Sequence, residues 1–311
     1  MVKALVTGIH GFVGRHLGEF LLRKGVAVVG IQHIRKPKTT TSSPVKLYTC
    51  DLRDYNKLLS IIDDSKPDYV FHLAARNQVS NSLASLRELF ETNVLGTLHL
   101  LRAIQKSCRP KILIPISSAV YGFTPTRRKI TENRSLLPVT PYGVSKAAQE
   151  LLAHQYAHEG LKILIARNFN LIGPGQQETF VCSGLARQFV EIKRGLSRAE
   201  IRVGNLKSRR DFCDVRDAVR AYWLLLQHGN LGDVYNICSE RSYSIQTVLR
   251  ALTKITGIKG NIVIDSPRLK KVDIPSQIGS YAKLMRHTGW RPEVALDQSL
   301  RDLVRYWQKV L

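Results

Sequence analysis

The sequence predicts an α/β fold with a doubly wound parallel sheet and a smaller C-terminal substrate-binding domain. Short apolar runs rich in β-branched residues alternate with longer segments of helical spacing, as in a parallel sheet covered on both faces. A glycine-rich turn follows the first of these runs directly. The alternation becomes irregular after about Asn170, where we expect the second domain to begin.

The predicted elements follow the chain in order. Strands are predicted over 3–7, 26–31, 45–48, 69–73, 112–117 and 163–167, and helices over 12–24, 83–107 and 141–159. These elements define a dinucleotide-binding domain over residues 1–170, which the chain rejoins at about 211–238. Residues 171–311 otherwise form the smaller domain.

Composition excludes several classes of protein. With 44% hydrophobic residues in 311, the chain can bury a large core. No apolar run approaches the ~18 residues of a membrane-spanning helix, so we expect no membrane partner. The N-terminal apolar stretch runs into the glycine turn, which indicates a first strand rather than a secretion signal. Five separated cysteines without a CxxC pair argue against a disulfide framework and a metal site, and favour a cytoplasmic location.

The net charge of +23 comes from basic residues spread over the whole chain. The densest stretch, residues 193–210, holds seven Lys and Arg against the single acid Glu200. At this point it fits equally a solvated face and a positive mouth for a phosphorylated substrate.

The turn after the first strand holds three glycines and opens the first helix. Its glycines let the backbone turn tightly and approach a pyrophosphate at the helix N-terminus. A purely structural turn is the alternative, but the position between strand and helix favours a Rossmann dinucleotide site. The predicted cofactor contacts here are Gly8, Gly11, Phe12, Val13 and Gly14.

The end of the second strand bears on the choice of cofactor. An NAD-selective site places a carboxylate there, but residues 32–36 hold none. Arg35 or Lys36 could pair with the additional phosphate of NADP, although a solvated loop is the alternative. NADP is therefore favoured and NAD remains possible. Asp51 is expected either to contact the adenine edge or to cap a helix over 52–59.

A second motif places Tyr142 and Lys146 four residues apart on a predicted helix, and therefore on one face. An ammonium about 4 Å from the phenol would favour its ionised form by about 4 kcal/mol, so we expect the pKa of Tyr142 to be lowered. The pair could then exchange a proton with an alcohol or a carbonyl. Ser117 and Ser118 follow the fifth strand, at the sheet edge where such folds hold their ligands.

Together these motifs resemble the extended short-chain dehydrogenase/reductase family, which acts largely on nucleotide sugars. The resemblance covers essentially the whole chain and includes residues 72–75 (His-Leu-Ala-Ala), Asn93 and residues 289–292 (Gly-Trp-Arg-Pro). It implies a catalytic set of Ser117, Tyr142 and Lys146. It adds Leu52, Leu73, Ala74, Ala75 and Asn93 to the cofactor contacts, along with Tyr142 and Lys146 themselves. It also implies a homodimer formed through the helices over 83–107 and 141–159.

Within that family, residues 169–176, 203–206, 209–212 and 214–217 are most similar to members that reduce the C4 keto group of GDP-4-dehydro-6-deoxy-D-mannose to GDP-D-rhamnose. The resemblance implies a GDP-sugar substrate that contacts Ser118, Asn170, Arg209, Arg210 and Lys270. It also gives the two arginines an anionic ligand, and it implies no nucleic-acid partner.

Position 119 discriminates between reactions. Similar 4,6-dehydratases carry a glutamate there as the base that removes the C5 proton, whereas this chain has Ala119. Reduction is therefore favoured over dehydration. A 4-epimerase with tightly bound NAD is the main alternative, and a nucleic-acid-binding relative without catalysis is disfavoured because Tyr142 and Lys146 are both present.

Overall fold

The computed structural model describes residues 1–33, 45–77, 82–124, 128–266 and 274–311. Its main sheet has seven parallel strands: β1 (Lys3–Thr7), β2 (Ala27–Gln32), β3 (Val45–Thr49), β4 (Tyr69–His72), β5 (Lys111–Ser117), β6 (Lys162–Asn168) and β10 (Val234–Ile237). Their order is β10-β6-β5-β4-β1-β2-β3, so the winding direction reverses between β1 and β4. Ligands bind at the carboxyl ends of the strands at such a switch point.

Helices cover both faces of this sheet. On one face α1 (Phe12–Arg23) and α7 (Val215–His228) pack against the strands, and on the other lie α2 (Tyr55–Ser65), α4 (Gly96–Ser107) and α5 (Pro141–His158). The predicted doubly wound fold is confirmed, and the six predicted strands agree with the structure to within one residue at each end.

A smaller domain has its own apolar core around Phe189, Leu252 and Leu303. Its strands are β7 (Asn170–Ile172), β8 (Glu200–Val203), β9 (Arg209–Asp214), β11 (Ser242–Ser244), β12 (Asn261–Ile264) and β13 (Ser276–Gln277). Its helices are α6 (Val181–Lys193), α8 (Ile245–Thr256) and α10 (Leu296–Val310), whereas α9 (Ala282–Thr288) packs against α7 and β10. Helix α7 packs against the large sheet and β10 is one of its strands, whereas β9 belongs to the sheet of the smaller domain. We therefore propose that the chain returns to the first domain at Val215, where α7 begins.

Two local features differ from the sequence prediction. The helix predicted over 83–107 is α3 (Leu83–Phe90), a π-helical turn (Glu91–Leu95) and then α4. The π turn places Asn93 in the interior, where its amide bonds to the backbone of Arg76 and to Ser145. Helix α2 begins at Tyr55 because Asp54 accepts a hydrogen bond from the Lys57 amide at 3.0 Å. The alternative role of Asp51 as a helix cap is therefore wrong.

Across the described ranges, no helix combines the length and apolar character needed to cross a membrane.

Candidate active site

The glycine turn is shaped by close backbone contacts. Gly8 has a φ of 68°, and a Cβ there would lie 2.9 Å from the backbone nitrogen of Ala74. A Cβ on Gly14 would lie 2.3 Å from the Gly8 carbonyl oxygen. The Gly11 amide closes the turn by donating to that carbonyl at 2.8 Å, and α1 begins at Phe12. The turn therefore leaves space for a pyrophosphate at the helix N-terminus.

A cavity of about 400 Å³ opens beside this turn at the carboxyl ends of β1, β2 and β4. It is lined by Gly8, His10, Gly11, Ile31, Gln32, His33, Cys50, Asp51, Leu52, Leu73, Ala74, Ala75, Arg76 and Thr92. Seven of the fifteen predicted cofactor contacts therefore line one cavity. Phe12, Val13 and Gly14 form the start of α1, directly after the turn.

Gln32 provides a further test of whether the cavity fits a dinucleotide. Its amide nitrogen donates to the Thr49 hydroxyl at 2.9 Å, and its buried carbonyl oxygen has no partner among the residues that the structure describes. Buried acceptors of this kind are normally satisfied, so a ribose hydroxyl would complete the group. The glycine turn and Gln32 both fit a bound dinucleotide.

Asp51 presents a carboxylate that is ionised at neutral pH to the cavity. The guanidinium of Arg53 donates to it at 2.6 Å and lowers the pKa of Asp51 to about 2, while the His33 ring lies 3.6 Å away. The predicted contact between Asp51 and adenine stays a prediction. Arg35, Lys36 and Lys270 lie outside the described residues.

The structure brings Ser117, Tyr142 and Lys146 together. Ser117 ends β5, and α5 begins next to it because Thr140 caps the helix and Pro141 occupies its first turn. The Ser117 hydroxyl lies close enough to the Tyr142 hydroxyl to favour its ionised form. Lys146, one turn further along α5, is buried and donates to the carbonyl of Pro115 at 3.4 Å.

The protonation of these groups differs from the sequence expectation. Burial raises the pKa of Tyr142 to about 12, a shift that the neighbouring Ser117 hydroxyl only partly opposes. Burial lowers the pKa of Lys146 to about 7. The expectation that Lys146 lowers the pKa of Tyr142 is therefore wrong, because removing both groups from water disfavours both charges. Tyr142 consequently holds its proton at neutral pH and can donate it.

A buried hydrogen-bond network supports the catalytic helix from behind. Asn93 donates to the Ser145 hydroxyl at 3.0 Å, and Ser145 donates to the carbonyl of Tyr142 at 2.8 Å. The Asn93 side chain therefore forms its hydrogen bonds inside the protein, and its predicted contact with the cofactor stays a prediction. Nothing in the sequence other than the Asn93 motif signals this chain of contacts.

His72 connects the cofactor turn to the same helix. The Thr97 hydroxyl donates to the Asn93 carbonyl and accepts from Gln149, so it must also accept from Nε2 of His72 at 2.9 Å. Nδ1 of His72 is then left to accept from Thr7, at 2.9 Å. Burial lowers the pKa of His72 to about 3, so the ring is neutral.

A buried ion pair lies one turn beyond Lys146. Glu150 accepts from the guanidinium of Arg167 at 2.9 Å, and Arg167 also donates to the Tyr121 hydroxyl at 2.8 Å. This pair fastens α5 to β6 and so fixes the height of Tyr142 above the sheet. An arginine within an apolar strand is the sequence signal that could have revealed it.

The predicted substrate contacts lie on the smaller domain and at the end of β5. Asn170 donates to the carbonyl of Asp211 at 3.2 Å, and Ser118 is buried against Gln277. Arg209 and Arg210 are neighbours in β9, so their side chains leave the strand on opposite faces. Arg210 shares its face with Asn170 and Gln277 according to the strand register, whereas Arg209 does not.

Known proteins are similar to this chain over nearly its whole length. The family model described as GDP-mannose 4,6 dehydratase matches residues 5–303. The GDP-6-deoxy-D-mannose reductase of Pseudomonas aeruginosa is 35% identical over 98% of this chain and 97% of its own length. A structure of RMD from Pseudomonas aeruginosa complexed with NADPH matches with a TM-score of 0.86, 34% identity and 100% coverage of both chains. The UDP-glucose 4-epimerase of Thermotoga maritima with UDP-glucose matches with a TM-score of 0.90, 28% identity and 99% coverage of both chains.

The matched range, the glycine turn and the three residues at the end of β5 and the start of α5 lead to one conclusion: the chain belongs to the GDP-mannose 4,6 dehydratase family, within the extended short-chain dehydrogenases/reductases.

Proposed function

We propose that this protein is an NAD(P)H-dependent reductase that converts GDP-4-dehydro-6-deoxy-D-mannose to GDP-D-rhamnose. The observation that carries the proposal is the cluster of Ser117, Tyr142 and Lys146 around a protonated tyrosine, with Ala119 beside it. The similarity to a GDP-6-deoxy-D-mannose reductase over nearly the full length of both chains supports the same reaction.

The chain's own residues provide acid catalysis. A nicotinamide bound along the glycine turn would supply the hydride for C4. Tyr142 donates its proton to the C4 oxygen as negative charge develops there, and Ser117 hydrogen-bonds the same oxygen. Lys146, one helical turn from Tyr142, stabilises the remaining tyrosinate when it carries its proton, and its pKa of about 7 keeps this form populated near neutral pH. A tyrosine that stays protonated at neutral pH suits reduction, because the acid must hold its proton before turnover.

Ala119 separates reduction from dehydration. It lies in the 3-10 turn Ser118–Tyr121, immediately after the catalytic serine. A methyl group cannot accept the C5 proton, and the Ser118 hydroxyl next to it donates to Gln277 at 3.1 Å. This arrangement supports a reductase that consumes the 4-keto sugar but cannot make it from GDP-mannose.

GDP recognition is proposed for the smaller domain. Arg210, Asn170 and Lys270 are the proposed contacts, with Arg210 on the diphosphate through charge-assisted hydrogen bonds. The Arg209 side chain leaves β9 on the opposite face, so we do not propose that it contacts the diphosphate together with Arg210. Ser118 is predicted to contact the substrate, but its hydroxyl donates to Gln277. We propose that it affects the substrate only through the turn that it shares with Ser117.

The experiment uses two reactions with purified protein. GDP-mannose with NADP should give no product, and GDP-4-dehydro-6-deoxy-D-mannose with NADPH should oxidise the cofactor and yield GDP-D-rhamnose by NMR. Formation of the 4-keto sugar in the first reaction would overturn the proposal, as would an unchanged NADPH absorbance in the second. Protein that purifies with stoichiometric NAD and interconverts C4 epimers would instead indicate a 4-epimerase.

Cofactor preference is proposed to favour NADPH, since the end of β2 offers Gln32 in place of a carboxylate. Replacing both Arg35 and Lys36 with Ala should raise the KM for NADPH at least tenfold more than the KM for NADH, because only NADPH carries the additional phosphate. Initial rates with each cofactor measure the difference. Equal changes for both cofactors would show that neither cation contacts the phosphate.

A further inference from the structure

A short segment, residues 274–280, bridges the two domains next to the catalytic serine. On one side it contains β13, which pairs with β9 so that Gln277 lies opposite Arg210. On the other side it forms backbone hydrogen bonds with Ile130 at 2.9 Å, and its Ser276 carbonyl accepts from the Thr124 hydroxyl at 2.9 Å. We call residues 274–280 the bridging segment.

Gln277 is the member of this segment that contacts the catalytic turn. Its side-chain carbonyl accepts from the Ser118 hydroxyl at 3.1 Å, and its amide donates to the Ser118 carbonyl at 2.9 Å. Gln277 is buried, with 5% of its surface exposed, so water does not compete for these bonds. The two bonds fix Ser118, the residue that directly follows Ser117. The Ser117 hydroxyl caps the same turn by accepting from the Ala119 amide at 3.2 Å.

Strand β9 holds the bridging segment near both of its ends. Arg210 donates to the carbonyl of Ile274 at 2.6 Å. The next residue, Asp211, is buried and accepts from the amide of Gly279 at 3.2 Å, as well as from Ser239 and Glu240. An anion bound by Arg210 therefore acts on the same backbone that positions Gln277.

We propose that Gln277 is a positioning residue that couples binding of the substrate diphosphate at Arg210 to the orientation of Ser117. This inference rests on the proposed function and deepens it. Through Gln277, part of the binding energy of the nucleotide appears as a faster chemical step rather than as tighter binding. Gln277 does not touch the reacting atoms and acts only through Ser118.

The kinetic test compares Gln277→Ala with Thr124→Val. Gln277→Ala removes both bonds to Ser118 and should lower kcat about tenfold with less than a twofold change in the KM for the GDP-sugar. Thr124→Val removes one hydrogen bond to the same segment but no contact with the serines, so its kcat should stay within twofold of wild type. Gln277→Glu retains the acceptor for the Ser118 hydroxyl and should show an intermediate kcat.

A double-mutant cycle with Arg210→Ala tests the coupling itself. If Gln277 transmits the effect of the diphosphate, the loss in kcat from Gln277→Ala should shrink to less than threefold in the Arg210→Ala background. Independent, multiplicative losses would overturn the proposal. So would equal losses of kcat in Gln277→Ala and Thr124→Val, since both would then report only a weakened bridging segment.

Amide hydrogen exchange gives a readout that does not depend on reduction. Saturating GDP should slow exchange at residues 118–121 in the wild type and in Thr124→Val, but not in Gln277→Ala. Slowed exchange in a protein that reduces no 4-keto sugar would reject the proposed reaction and keep the coupling. If the protein reduces the 4-keto sugar but GDP does not slow amide exchange at residues 118–121, the coupling is rejected and the proposed reaction stands.

Discussion

The raised pKa of Tyr142, together with the neighbouring Ser117 hydroxyl, supports the proposed role of Tyr142 as the proton donor. Tyr142→Phe removes only the hydroxyl, so the fold and NADPH affinity should persist while kcat falls at least about 100-fold. Steady-state reduction of the 4-keto sugar measures the loss, and an NADPH titration provides the control. Turnover within a few-fold of wild type would contradict the assigned role.

Lys146 gives stability a specific pH dependence. Its pKa falls from 10.5 to about 7 on burial, so between these values the unfolded chain holds a proton that the folded protein has lost. The free energy of unfolding should therefore rise with pH across this window, by up to about 1.4 kcal/mol per pH unit from this group. Urea unfolding at pH 7, 8 and 9 tests this. The difference between wild type and Lys146→Met isolates the contribution, and a pH-independent difference would contradict it.

The glycine turn belongs to the scale of the element, because its geometry joins β1, α1 and the residue after β4. A Cβ on Gly14 would lie 2.3 and 2.7 Å from the backbone oxygens of Gly8 and Ile9. These backbone atoms cannot move away without distorting the turn. Gly14→Ala should weaken NADPH binding at least tenfold and lower the Tm. Gly18→Ala, in the same helix, meets only the side-chain tip of Ile9 at 3.0 Å and should bind NADPH within twofold of wild type. Wild-type affinity in Gly14→Ala would refute this account of the turn.

At the scale of the whole molecule, the helices over 83–107 and 141–159 leave apolar side chains uncovered. Leu95 and Leu151 are 46% and 64% exposed, and Leu83 and Val144 lie on the same helices. Exposed apolar side chains on these helices favour self-association, so we expect a homodimer through them. Leu151→Asp should convert a species of about twice 35.1 kDa to the monomer in light scattering. Leu231→Asp, at a similarly exposed leucine outside these helices, should remain dimeric; an unchanged mass in Leu151→Asp would argue against this interface.

The sequence by itself determined the strand pattern, the glycine turn and the spacing of Tyr142 and Lys146. These features depend on local periodicity and on residues a few positions apart, so they can be derived before the chain folds. The same local information identified Ser117 only as a residue at the end of a strand. The resemblance to a known family then indicated which serine is catalytic.

Only the tertiary structure decided how these residues behave. The pKa of Tyr142 depends on its burial in the folded protein, so the local pair with Lys146 predicted the wrong direction. The π turn that buries Asn93 and the bonds between Ser118 and Gln277, which are 159 residues apart, have no local sequence signal. Packing sets burial and long-range partners, and these determine which group holds a proton and which distant residue contacts the turn after Ser117.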